Sequence, residues 1–113
     1  MKHVMYGEKS LLMDDDSADA LIEYAGVIAQ TGSGDTVRLR AAGSDGNAVE
    51  VVFLLNASTG LIVESASAQM DAPTNDDAVA EIRRKIDLLR NPPSSVAEML
   101  EDAPALVDFD DIR

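Results

Sequence analysis

The chain has 113 residues, 46% hydrophobic and 4% aromatic, a formal net charge of −12 and no cysteine. That is one domain's worth of chain, with a core of Leu, Ile, Val, Met and Ala and few rings on which to stack bases or sugars. The charge repels nucleic acid and anionic lipid at long range, and the lack of thiols excludes disulfides, a cysteine nucleophile and thiolate metal sites.

Acidity on this scale fits plain solubility, a basic protein partner or a high-salt source. The N-terminal residues lack a charged start followed by a long apolar run, and no stretch approaches 18 apolar residues. Neither a signal peptide nor a membrane span is expected, and the cytoplasm is the default location.

In chain order, residues 3–6 read as a short strand and Leu11, Leu12 and Met13 as a second, separated by a turn at Gly7. The two either pair with each other or add an edge to the main sheet. Residues 14–30 read as a helix, because Ala18, Leu21, Ile22, Ala25, Ile28 and Ala29 recur at helical spacing. Asp16 is its expected N-cap, and Gly32 and Gly34 end it. Gly26 in its middle predicts a closely packed backbone neighbour.

Residues 35–42, 47–56 and 60–67 read as three strands of a meander. A three-residue loop at Ser44-Asp45-Gly46, with Gly46 left-handed, sets Ala41 against Val49, Leu39 against Val51 and Val37 against Phe53. It also sets Arg40 against Glu50 on the other face. A slip of one residue would drive Glu50 into the core. Pairing Leu55 with Leu61 across the second turn puts Phe53 beside Val63, and groups Val52, Leu54 and Ile62 on the opposite, mixed face. Thr74 then caps a second helix to Arg90, with Val79, Ile82, Ile86 and Leu89 as its buried stripe and Asn91-Pro92-Pro93 as its stop. A short helix is expected over residues 96–101.

The expected fold class is α+β: a two-layer, three-stranded antiparallel meander with two helices on one face, preceded by a short strand or hairpin. The domain covers residues 1–92, and residues 93–113 form an acidic amphipathic C-terminal segment. The helix–three strands–helix order over residues 14–90 is similar to that of double-stranded RNA-binding domains. The similarity is one of topology alone. The second helix opens on Asp76 and Asp77, where such domains present basic residues, so nucleic-acid binding is not expected.

Motifs for chemistry are sparse. Asp14, Asp15, Asp16 and Asp19 offer oxygen ligands to a hard cation, but consecutive carboxylates before a helix are also what capping and the helix dipole favour. His3, the single histidine, reads as an exposed residue of an edge strand. Gly32-Ser33-Gly34 follows a helix and precedes a strand, the reverse of a phosphate loop. Arg83, Arg84, Lys85 and Arg90 read as a solvated face or a docking site for acidic residues, including the chain's own tail. That tail mixes carboxylates with Met99, Leu100, Leu106, Val107, Phe109 and Ile112, as an amphipathic docking segment would.

The function expected from these features is a non-catalytic protein-interaction domain that self-associates as a homodimer. Val52, Leu54, Ile62 and Phe109 are its contact residues, and Arg38 and Arg40 its flanking charges. No cofactor or metal site is expected. The alternatives are an acidic inhibitor or nucleic-acid mimic that binds a basic partner, and a small divalent-cation-dependent enzyme built on residues 14–16.

Overall fold

A computed structural model of the chain describes residues 1–67 and 71–92. Two strands, β1 (Lys2–Tyr6) and β2 (Lys9–Met13), precede helix α1 (Asp15–Thr31). Strands β3 (Asp35–Ala42), β4 (Ala48–Leu55) and β5 (Leu61–Ser65) follow, and helix α2 (Asp76–Arg90) comes last. The five strands form one open antiparallel sheet in the order β4-β3-β2-β1-β5. The class is α+β. The expected short helix over residues 96–101 lies outside the described residues.

The N-terminal strands form a hairpin with Tyr6 opposite Lys9. The loop is Gly7-Glu8, and Gly7 at φ 62° supplies the left-handed conformation that two-residue hairpins demand. Helix α1 is capped by Asp14 rather than Asp16: the Asp14 carboxylate accepts from the Ser17 amide and hydroxyl. Gly32 ends the helix at φ 69°, its N–H donating to the Ile28 carbonyl. The buried face is broader than expected. Ala20, Tyr24 and Val27 join Ala18, Leu21, Ala25 and Ile28, whereas Ile22 and Ala29 are exposed. Gly26 is exposed too, and a Cβ added there would meet nothing within 4 Å, so the expected close backbone neighbour is absent.

The β3–β4 register is the expected one at every position, from Asp35 opposite Leu55 to Ala42 opposite Ala48. Gly46 sits at φ 84° in the loop, which is closed by the Gly43 amide donating to the Asn47 carbonyl.

The meander does not form. Strand β5 pairs with β1 along its whole length, Val63 opposite Val4 and Leu61 opposite Tyr6, and not with β4. The edge of β4 that β5 would need is blocked at its end. The Leu54 carbonyl accepts the Tyr6 hydroxyl at 2.7 Å and the Thr59 hydroxyl at 3.1 Å, while the 56–60 turn is tied by Thr59 N–H to Asn56 and Asn56 N–H to Thr59. Strand β1 offers β5 a full ladder instead. His3 is therefore on an inner strand and half-buried, not on an exposed edge. The likeness to double-stranded RNA-binding domains fails at the same point, since it rested on a meander of three consecutive strands.

One apolar cluster unites the elements. Val4, Leu11 and Met13 share it with Leu21, Ile28, Val37, Leu39, Phe53, Leu55, Ile82 and Ile86, and Val63 packs against it. Phe53, Val63 and Ile82 thus share one interior. Side chains of this size contribute about 1.5–3 kcal/mol each when fully buried. Tyr6 meets Phe53 edge-to-face at 5.7 Å.

Strands β2 and β3 touch through a single pair, Leu12 opposite Ala42. Beyond it, Asn75 at the start of α2 serves the unpaired edge of β3, binding both backbone groups of Arg40 and the Ser17 hydroxyl. Asn75, not Thr74, is the residue before α2, and its side chain is spent on these tertiary bonds rather than on capping.

Candidate interaction surface

The Arg40 backbone groups turn toward Asn75 and therefore away from β4. Antiparallel pairing alternates, so the amides and carbonyls of Ala48, Glu50, Val52 and Leu54 point away from β3, along the outer edge of β4. The Leu54 carbonyl follows this rule, because Tyr6 and Thr59 reach it from outside. An eight-residue edge strand without proline, free of partners over most of its length among the described residues, is a template for strand addition.

The side chains of the same residues stand on one face of the strand. Val52 is 55% exposed and Leu54 53%, with Arg38 directly opposite Val52 and Arg40 opposite Glu50 on β3. Sequence reasoning placed Arg38, Arg40, Val52 and Leu54 together, and the register does so. Ile62, 58% exposed, stands apart in the strand order: it pairs with Met5 on the opposite edge strand. Phe109 lies outside the described residues.

Between β4 and the first hairpin, residues 49–52 join Glu8–Leu11, Gly43 and Ser44 in lining a cleft of about 570 Å³. Ser10 sits there on β2 past the Leu12–Ala42 contact, so its neighbouring strand edge is also unpaired.

Charges divide the molecule. Arg83 and Arg90 both reach the Glu23 carboxylate on α1, Arg84 pairs with Glu81, and Lys85 pairs with Asp35 at 3.0 Å. The basic cluster of α2 is thus largely a set of staples, and Glu81 serves Arg84 rather than Lys85. Hydrogen bonds from Arg90 and Arg83 hold Glu23 below the ordinary carboxylate range. By contrast, Arg38 and Arg40 make no ion pair among the described residues.

A second polar group escaped the sequence reading. The Tyr24 hydroxyl donates to Asp35 at 2.6 Å beside Lys85, next to a pocket of about 320 Å³ lined also by Ile28, Leu88 and Leu89. Burial, then the bond to Asp35, pushes the Tyr24 hydroxyl well above its usual pKa. The same bond, with help from Lys85, holds Asp35 low. Every oxygen of Asp35 is occupied, since Thr36 N–H takes the other one. The group therefore ties α1, β3 and α2 together, and no local pattern in the sequence announces it.

The carboxylates before α1 are largely engaged: Asp14 caps the helix, Asp15 meets the Met1 amino group at 2.9 Å and Asp19 meets Lys2. Among the described residues, no three His, Cys, Asp or Glu side chains converge closely enough to hold a metal ion. No helix among them is long and apolar enough to cross a membrane. Comparisons with protein-family models, with curated proteins and with solved structures find no match to this chain.

Proposed function

We propose that this chain is a non-catalytic protein-interaction domain that self-associates through the open face and outer edge of β4. The reading takes both helices to cover the face that carries Val37, Leu39 and Phe53, so that the reverse face is left for a partner. A single observation carries it: Val52 and Leu54, both more than half exposed, sit on an edge strand beside two arginines. Among the described residues that edge has no neighbouring strand and the arginines make no ion pair. Exposed apolar side chains grouped on a strand edge mark contact sites. Ile62 drops out of the patch, since it lies on the other edge strand.

The alternatives have less behind them. A cation-dependent enzyme rests on the carboxylates at the start of α1, two of which are spent on the cap and on the Met1 amino group, and an acidic inhibitor rests on the net charge of −12 alone.

Sedimentation equilibrium over a wide concentration range tests the proposal. Mass rising with concentration, and rising further with salt as repulsion between the acidic chains is screened, is the expected result. Val52→Lys with Leu54→Lys, at exposed positions, should abolish the rise without unfolding the chain. A wild-type chain that stays monomeric at high concentration and high salt rejects it.

A further inference from the structure

We infer that the acidic, apolar segment of residues 105–112 docks in the same chain along the outer edge of β4, covering Val52 and Leu54 and meeting Arg38 and Arg40. The inference rests on reading that surface as a contact site, and it names an occupant that competes with a second copy.

Three features of the surface fit this occupant: its open edge, its arginine pair and the apolar residues on either side. The edge supplies backbone groups at Ala48, Glu50 and Val52 that are free among the described residues, which an extended segment of any sequence can bond. The face above that edge carries two arginines that make no ion pair among the described residues, in a chain of 21 acidic and nine basic residues. Arginines two apart on a strand lie about 7 Å apart, and Asp108 and Asp110 have the same two-residue spacing. Side chains alternate along an added strand. If Leu106, Asp108, Asp110 and Ile112 lie with Val52 and Leu54, then Val107, Phe109 and Asp111 turn to the other side, where Leu11, Val49 and Val51 wall the 570 Å³ cleft and Lys9 lies in its lining. The patch thus offers apolar surface and positive charge on both sides of the edge, Arg38 and Arg40 with Glu50 on one and Lys9 with Glu8 on the other. The segment likewise carries apolar and acidic residues on both of its sides.

Reach and concentration decide for the same chain. About 16 residues separate Arg90 from Leu106, which span up to about 50 Å when extended, against about 30 Å across a domain of this size. A tethered segment has an effective concentration on the order of millimolar, which a second copy at micromolar concentration does not match. The face is consequently covered until a partner, or a second copy at high concentration, displaces the segment.

The test uses the full chain. It has no cysteine, so Arg113→Cys carries a single spin label. At low concentration, loss of amide signal for Ala48, Glu50, Val52 and Ser10 is expected. Arg38→Glu with Arg40→Glu should restore those signals, as should high salt. Asp108→Asn with Asp110→Asn should do the same while leaving every described residue unaltered, which guards against a misfolded double variant. Signal loss near Arg83, Arg84 and Arg90 instead, or nowhere, overturns the docking. Loss seen only when spin-labelled and isotope-labelled chains are mixed overturns the assignment to the same chain. If docking fails while Val52→Lys with Leu54→Lys still abolishes self-association, the contact surface stands without this occupant. If that variant has no effect on self-association, the surface itself is wrong.

Discussion

Asn75 treats Arg40 as a neighbouring strand would: its Oδ1 accepts the Arg40 N–H at 2.7 Å and its Nδ2 donates to the Arg40 carbonyl at 3.0 Å. The same Nδ2 donates to the Ser17 hydroxyl at 2.9 Å, which in turn donates to the Asp14 cap. One amide thereby joins the starts of both helices to the strand that carries the candidate surface. It does so where β2 has stopped pairing with β3, so these backbone groups would otherwise be orphaned.

Asn75→Ala is therefore expected to cost about 2–4 kcal/mol, because it deletes three bonds and leaves buried partners unsatisfied. Asn75→Asp is isosteric but cannot donate when ionised, so its loss should be large at neutral pH and shrink in acid as the carboxyl gains a proton. Urea titrations at two pH values measure both. A loss of only a few tenths of a kcal/mol for Asn75→Ala would show that water replaces the clamp.

Gly26→Ala should stabilise the protein by about 0.5–1 kcal/mol. The position is exposed and mid-helix, and the added methyl meets nothing within 4 Å. A thermal scan gives the sign directly, and a lower melting temperature would contradict the placement of this helix face.

Acid and alkali should each weaken the fold through Tyr24 and Asp35. Asp35 is held below its ordinary 3.8 by the Tyr24 hydrogen bond first and Lys85 second, so the stability tied to it is present above pH 3.8 and lost as pH falls through the folded value. Tyr24 is raised above 10.0, by burial first, so its share is complete below pH 10.0 and lost as pH rises beyond it. Tyr24→Phe should flatten the alkaline decline and soften the acid one, leaving the part that Lys85 and Thr36 still give Asp35 and the part that belongs to Glu23. Denaturant midpoints across the pH range read both limbs. An unchanged alkaline limb in Tyr24→Phe would assign that decline to another group.

Tyr6→Phe should cost about 0.5–1.5 kcal/mol, since Thr59 still serves the Leu54 carbonyl when the Tyr6 hydroxyl is gone. Tyr6→Ala should cost several times more, because the edge-to-face contact with Phe53 goes as well. Equal losses in the two variants would mean that the ring contributes nothing.

Much of this molecule is written locally. The alternation of Val37, Leu39 and Ala41 against Val49, Val51 and Phe53, joined by a loop with Gly46 in the left-handed region, admits one register, and that register stands. The stripes of α1 and α2 and the glycine stop at Gly32 follow from helical period and capping chemistry. Arg38 beside Val52 followed from the same hairpin, which is why most of the candidate surface was legible.

What the sequence could not decide was the choice among partners of equal local merit. By pattern alone Leu61, Ile62 and Val63 fit a ladder on β4 or on β1; the fold pairs them with β1, while Tyr6 and Thr59 occupy the Leu54 carbonyl at the end of β4. That choice moved Ile62 across the sheet. Asn75, Tyr24 and Glu23 were invisible for a related reason: their roles depend on groups brought near by folding, at separations of 11 to 67 residues, and contacts of that kind leave no periodicity to read. Pattern and turn chemistry act over a few residues, whereas the packing that selects between rival strands acts through the whole core.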